Sequence, residues 1–322
     1  MKKSNQNFPC YYHPTQVLFV DDSPGFLAAM ELSYGHKLDT VQERNPLNAL
    51  DLINSQSSAC SALSYLASKD QAVLIDDDSD QIEDAAKFQL QLNLRELPSF
   101  LQQQNMNRPV AVVVVDYDMP EMNGLDFVRA IKNNRIKKIM LTAKADQDIA
   151  IEAFNDGLID QFIYKTDRRL QEKLFSVIQE LTNVYFDDLS ENIRNIVKLD
   201  NSTCNLLQDK KYINQLNMVK EQLGTFCYHL YDQHGSYQFL DAKGQKTIVL
   251  VENKEGFLEK LALLESIEAP GELIDAVKSR KKLLFIERES CYHRPAEEWD
   301  KYLHDAIAIS EEHYCAIIPC QP

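Results

Sequence analysis

Apolar runs and helical stripes alternate along the first half of the chain. Val17–Val20 is a short apolar run closed by Asp21 and Asp22, and it reads as a strand. Pro24 suits the first turn of a following helix, with Phe26, Leu27 and Met30 as its apolar face. The pattern then predicts a strand near Lys37–Val41 and a helix opened by Asn45-Pro46, with Leu47, Leu50 and Ile53 turned inward. Val110–Val115 is continuously apolar, as expected of a strand buried on both faces of a parallel sheet. Helix Leu125–Asn134, strand Lys138–Leu141, helix Asp146–Asp156 and strand Gln161–Tyr164 follow. A long helix begins near Arg168, with Leu170, Leu174, Val177, Ile178 and Leu181 along one face. Such alternation predicts an α/β fold: a doubly wound, five-stranded parallel sheet.

The stretch from about 54 to 108 is too long for a helix–strand connection and reads as an insertion in the crossover between the second and third strands. It holds a helix-like Leu94–Leu101 broken by Pro98. Its segment Val73–Asp78 echoes Val17–Asp22, but the helix and strand that should follow do not match, so the echo is read as coincidence. The acidic run Asp76–Asp80 reads as a solvated loop.

After the long helix, Asp188-x-x-Glu191 resembles a capping box and predicts a second helix there. Beyond Gly224 the pattern changes. Cys227–Tyr231, Tyr237–Leu240 and Thr247–Val251 predict three antiparallel strands with turns at Gly235 and Gly244. Helices near Gly256–Glu265 and Gly271–Lys278, strand Leu283–Glu287, helix Pro295–His304 and strand His313–Ile318 complete a C-terminal α+β domain. The expected boundaries are an N-terminal arm (1–16), the α/β domain (17–183), a helical connector (184–223) and an output domain of unknown type (224–322).

Charge narrows the function. The chain holds 34 Lys and Arg against 49 Asp and Glu, a net charge of −15. Residues 200–322 are acidic as well, with 14 basic against 20 acidic residues. Direct DNA binding is not expected of such a surface. The longest apolar run spans six residues, far from the roughly 18 of a membrane helix, and the start has no apolar signal segment. The expectation is a cytoplasmic protein with no membrane contact. Its seven cysteines are scattered without a CxxC pair and read as free thiols.

Three carboxylates stand at the carboxyl ends of two predicted strands: Asp21 and Asp22 after the first, Asp116 after the third. In open α/β sheets that edge is where ligands bind. Clustered carboxylates repel one another, and a hard divalent cation relieves the repulsion. Mg²⁺ suits the site, because it prefers oxygen ligands and accepts a phosphate oxygen. Thr142 brings a hydroxyl and Lys165 an ammonium to the same edge. The set fits phosphoryl transfer to a carboxylate.

The motifs around these residues resemble the receiver domain of two-component response regulators. Val17–Ser23 supplies the family's acidic pair, and Val113–Gly124 resembles the phospho-acceptor strand and its loop. Leu141-Thr142-Ala143 resembles the switch threonine with its small neighbour, and Phe162–Lys165 the switch aromatic three residues before the lysine. The resemblance covers about residues 15–183 apart from the insertion. It implies that Asp116 accepts a phosphoryl group from the phosphohistidine of a sensor histidine kinase or phosphotransfer protein. It implies Mg²⁺ held by Asp22, the Asp116 side chain and the Asp118 backbone carbonyl, with Asp21 acting through water. Lys165 would bind a phosphoryl oxygen, Thr142 would move toward it, and Phe162 would turn inward. The sequence departs from the family at Thr166, where a proline after a cis bond is usual, and in the insertion.

The output half carries no such signature. It has no Gly-Gly pair and no P-loop, and it does not read as a helix-turn-helix. Tyr228–Gly244 resembles the meander of PAS-like sensory modules. Lys278–Lys282 reads as a solvated helix end, and Cys291-x-His293 with His313-x-Cys315 lacks the spacing of structural zinc. The segment Arg135–Ala143, the lengthened crossover and the unusual tail resemble quorum-sensing response regulators with a non-standard output domain. The leading expectation is a response regulator switched by phosphorylation into a homodimer or new output contacts. The alternatives are a receiver-like docking module with a ligand-sensing tail, and an output domain with an unrecognised nucleotide-binding or enzymatic activity.

Overall fold

The computed structural model describes residues 8–56, 94, 97–143, 146–196, 201–286 and 296–320. The chain divides into two compact units: His13–Ile193, and Met1–Tyr12 together with Arg194–Pro322. Among the described residues no helix is long and apolar enough to cross a membrane.

The first unit is built on β2 (Gln16–Val20), β3 (Asp39–Glu43), β4 (Val110–Asp116), β5 (Lys137–Thr142) and β6 (Gln161–Tyr164). β1 (Tyr11–Tyr12) belongs to the other unit. The five strands form one sheet in the order β3-β2-β4-β5-β6, every pair parallel. This is the predicted doubly wound sheet. All seven residues of β4 are buried, as a central strand covered on both faces requires. On one face Val113 and Val115 pack with Leu18, Val20, Phe127 and Met140.

Helix α1 (Pro24–Tyr34) starts where Ser23 accepts from the Phe26 amide and buries Leu27, Met30 and Tyr34. Helix α2 (Pro46–Gln56) starts where the Asn45 side chain accepts from Leu47 and Asn48 amides. It buries Pro46, Ala49, Leu50 and Ile53, and the expected inward Leu47 is half exposed because it lies off that stripe. Helix α3 (Leu97–Asn107) corrects the reading of Pro98 as a breaker. Pro98 stands in the first turn, where no amide donor is needed, so it opens the helix. The rest of the expected insertion, with the Asp76–Asp80 run and the Val73–Asp78 echo, lies outside the described residues.

Helix α4 (Gly124–Ala130) ends earlier than predicted. Ile131 turns extended at φ −69° and ψ 116°, and the Asn133 side chain accepts from the Arg135 amide, closing a turn instead of a helical one. Helix α5 (Gln147–Asn155) lies within its predicted bounds, and Gly157 after it takes φ +71°. Helix α6 (Leu170–Ile196) is one helix of 27 residues, not two. Its buried stripe continues past the expected break through Tyr185, Phe186 and Ile193. Asp188 does not cap a new helix; its carboxylate meets Lys137 Nζ at 2.5 Å.

The second unit holds a six-stranded antiparallel sheet in the order β1-β7-β8-β9-β13-β12. Its strands are β1, β7 (Thr225–Leu230), β8 (Tyr237–Asp241), β9 (Lys246–Asn253), β12 (Ile307–Ala308) and β13 (His313–Pro319). The predicted meander is β7-β8-β9, with Gly235 at φ +94° and Gly244 at φ +83° in its turns. Helices α7 (Asn201–Leu206), α8 (Lys210–Gln222), α9 (Lys254–Ser266) and α10 (Gly271–Lys278) accompany it. The region expected as a strand and a helix at its end differs. β10 (Lys282–Leu284) pairs with β11 (Leu303–Asp305) in a ribbon, joined through a 3-10 helix at Ala296–Tyr302. Trp299 of that turn is 1% exposed and packs with Phe257, Leu264 and Leu283. Burying one indole holds a tight turn in place of the longer helix.

Candidate functional site

Parallel strands send their carboxyl ends to one edge of a sheet, and four of these ends carry the site. Asp21 follows β2; its amide donates to Glu43 O and its Oδ1 accepts from the Ser23 amide at 2.9 Å. Asp116 ends β4. The loop after it closes tightly: the Gly124 amide donates to Tyr117 O, and a Cβ on Gly124 would stand 2.4 Å from Asp116 O. Only glycine allows that approach. Thr142 ends β5, and Lys165 follows β6 with its amide bonded to Thr142 O at 3.0 Å.

The Lys165 ammonium lies 2.7 Å from Asp21 Oδ2 and 2.8 Å from Asp116 Oδ2, bridging the two strands. It also sits 4.9 Å from the centre of the Phe26 ring, a cation–π contact the sequence reading missed. Asp21 and Asp116 are buried, while Asp22 is partly exposed. Burial pushes the Asp116 carboxyl up, and the charge of Asp21 adds to this; Lys165 and the Asp118 amide pull the other way without cancelling it. Burial lowers Lys165, but its bonds to Asp116 and Asp21 outweigh that and leave it raised. The departure at Thr166 does not displace the lysine. No cis peptide occurs among the described residues, and the amide of Asp167 closes a turn on Tyr164 O.

Asp21, Asp22 and Asp116 can each offer an oxygen within 4.8 Å of the others. Three carboxylates face one ammonium, so the cluster carries excess negative charge. Asp21 Oδ2 is buried and has no aligned hydrogen-bond donor, with Lys165 meeting it as an ion pair. A hard, oxygen-only donor set with surplus negative charge fits Mg²⁺. Among the described residues no other His, Cys, Asp and Glu group has metal-binding spacing. Cys291 and His293 lie outside those residues.

The structure brings Asp21, Asp22, Asp116 and Lys165 together. Thr142 is wholly buried, and its hydroxyl donates to Ala143 O at 3.1 Å. Phe162 stands apart from the carboxylates, edge-on to Phe154 of α5 at 6.3 Å and to Tyr164 at 5.9 Å. Asp118 has an exposed side chain. Arg44, at the end of β3, was not singled out from sequence; its Nε donates to Asp22 O at 3.4 Å.

These features have counterparts in known proteins. The sequence profile described as the response regulator receiver domain matches residues 73–175. The chain carries a response regulator receiver domain. The matched stretch includes Asp116, Thr142, Phe162 and Lys165. It begins on the Val73–Asp78 echo rather than on β2, so the profile does not cover Asp21 and Asp22. The chemotaxis protein CheY1 of Helicobacter pylori, in two strains, is 37% and 36% identical over 78 residues. Those matches cover 22% of this chain, which spans 62% of the length of these relatives. The structure of the Legionella pneumophila response regulator LqsR resembles the whole chain, with a TM-score of 0.75 and 27% identity over 98% of this chain and 91% of that one. That likeness takes in the antiparallel unit, for which the sequence offered no family.

In the output unit Ser202 Oγ lies 3.0 Å from His313 Nε2. Ser310 Oγ accepts from the Glu312 and His313 amides and lies 3.3 Å from His313 Nδ1.

Proposed function

We propose that the chain is a phosphorylation-switched response regulator whose phospho-acceptor is Asp116. The observation that carries this reading is the Lys165 ammonium held between Asp21 and Asp116 at the carboxyl edge of the sheet, with Asp22 beside them. An Asp116 carboxylate oxygen attacks the phosphorus of a partner's phosphohistidine as the phosphorus–nitrogen bond breaks, giving an acyl phosphate and a neutral imidazole once it takes up a proton. Asp21, Asp22, the Asp116 side chain and the Asp118 carbonyl would hold Mg²⁺, which supplies charge neutralisation for the transferring group. Lys165 pairs with a phosphoryl oxygen and Thr142 exchanges its bond to Ala143 O for another.

Release of the Thr142 hydroxyl from its present acceptor leaves room for Phe162 to rotate inward from Phe154. Ile149, Ile151 and Phe154 of α5 are each more than a third exposed, so this movement changes an apolar surface. We assign to that surface, with the start of α6, a phosphorylation-promoted homodimer. The pathway is a bacterial regulatory one, and the resemblance carried by Arg135–Ala143, the lengthened crossover and the tail supports quorum sensing as its setting.

Incubation with Mg²⁺ and acetyl phosphate should add about 80 Da, one phosphoryl group. Asp116→Asn should add nothing, and an equal gain in that variant would sink the assignment. Sedimentation velocity with beryllofluoride should show a shift to dimer in the wild type and a smaller one in Thr142→Ala. A monomer in both conditions would remove the dimer from the proposal.

A further inference from the structure

The Lys165 ammonium has a neighbour besides its two carboxylates, and one short turn supplies it. Asp21 Oδ2 lies 2.7 Å from Lys165 Nζ, while Asp21 Oδ1 accepts from the Ser23 amide at 2.9 Å. Ser23 Oγ in turn accepts from the Phe26 amide at 3.3 Å, and Pro24 between them has a fixed φ. The first turn of α1 is thereby fastened to the same carboxylate that holds the lysine. It sets the Phe26 ring 4.9 Å from Lys165 Nζ. Two neighbours of the ammonium, Asp21 and Phe26, thus come from one stretch of six residues, and Asp116 at 2.8 Å is the other.

These contacts differ in kind. A charge-assisted pair with a carboxylate is short and ties the ammonium to one oxygen. Attraction to a ring face reaches to about 6 Å from its centre and names no single acceptor atom. It therefore persists through small displacements that break an ion pair. The Lys165 side chain is 28% exposed, so an ammonium released by Asp116 has water to turn to. In phosphoryl transfer Lys165 leaves Asp116 Oδ2 for a phosphoryl oxygen. The ring contact is the one that need not break during that exchange. A leucine in its place would be apolar but would have no quadrupole to offer a cation.

We propose that Phe26 is a positioning residue for phosphoryl transfer. Its ring keeps the Lys165 ammonium at the carboxyl edge of the sheet while that ammonium changes partner from Asp116 to the phosphoryl group. This rests on the phosphorylation reading above.

Two measurements on the full-length chain test the role. The first is the rate of mass gain with Mg²⁺ and acetyl phosphate. Phe26→Leu should slow it about threefold, and Phe26→Tyr, which keeps a ring face, should restore it. In a Lys165→Ala background there is no cation to hold, so adding Phe26→Leu should leave the residual rate unaltered. The second measurement needs neither metal ion nor phosphoryl donor. Urea unfolding without divalent cations compares the wild type, Phe26→Leu, Lys165→Ala and the double variant. The loss caused by Phe26→Leu should shrink once Lys165 is absent, as it does for groups in contact. No mass gain in the wild type would overturn the phosphorylation reading and this inference with it. A wild-type rate in Phe26→Leu would overturn the positioning role alone. So would equal slowing in Phe26→Tyr, further slowing in the Lys165→Ala background, or additive losses in urea.

Discussion

Two lysines of the receiver are each tied to two aspartates, at opposite ends of the same sheet. Lys165, past the carboxyl end of β6, meets Asp21 and Asp116. Lys137, at the amino end of β5, meets Asp188 at 2.5 Å and Asp160 at 3.9 Å. The ingredients are alike but the settings differ. At the upper cluster the carboxylates are the buried partners, with side chains 2% and 8% exposed, and the lysine is 28% exposed. At the lower cluster the lysine is buried at 9% and its carboxylates reach solvent at 32% and 44%. The upper cluster also has Asp22 and thus surplus negative charge; the lower one has Lys138 beside it and is balanced. Surplus charge of one sign is left uncompensated within the upper cluster, whereas a balanced pair with wet carboxylates holds elements together.

The same substitution should therefore act very differently at the two ends. Lys165→Met strands two buried carboxylates and should lower stability by about 3–5 kcal/mol at neutral pH without divalent cations. Lys137→Met leaves carboxylates that water can reach and keeps the apolar stem, so about 1 kcal/mol is expected. Urea unfolding of both variants checks the ranking, and equal losses would erase the distinction. Between these two in size lies the cation itself. Mg²⁺ at about one hundred times its dissociation constant should stabilise the wild type by about 2.7 kcal/mol. Asp22→Ala should lose most of that gain and Lys137→Met none of it. A cation effect insensitive to Asp22 would place the ion elsewhere.

The two clusters also differ in how far the sequence disclosed them. Asp21, Asp22, Asp116, Thr142 and Lys165 each end or follow an apolar run, and parallel pairing brings such ends to one edge whatever the loops do. Their meeting could be read before any coordinates. Lys137 and Asp188 are 51 residues apart, and Asp188 lies on a helix the local pattern broke in two. Only packing of the continuous α6 stripe joins them. The N-terminal strand was equally hidden, because Tyr11-Tyr12 is too short for a period and its partner β7 lies over two hundred residues away. The 3-10 turn around Trp299 followed from burial of one large ring, which overrode the helical propensity of its neighbours.

The smallest effect expected is a pH dependence that separates the two functions of charge at the upper cluster. Asp116 is raised, by burial first and by Asp21 next, against the pull of Lys165 and the Asp118 amide. A carboxyl raised by folding binds its proton more tightly in the native state than in the unfolded chain. Its contribution to stability is full below the unfolded value of about 3.9 and is lost as pH rises through the folded one. Lys165, also raised, holds its contribution below an unfolded value of about 10.4 and loses it only above that, so it is silent through the acid range. Asp116→Asn resembles the protonated form. Without divalent cations it should be slightly more stable than the wild type at pH 7, and the difference should close as pH falls toward 3.5. With Mg²⁺ present at pH 7 the order should reverse, since only the wild type gains the ion. Unfolding free energies at three pH values, each with and without Mg²⁺, make the measurement. A variant less stable than wild type at pH 7 in both conditions would mean that Asp116 serves the fold rather than waiting for a phosphoryl group.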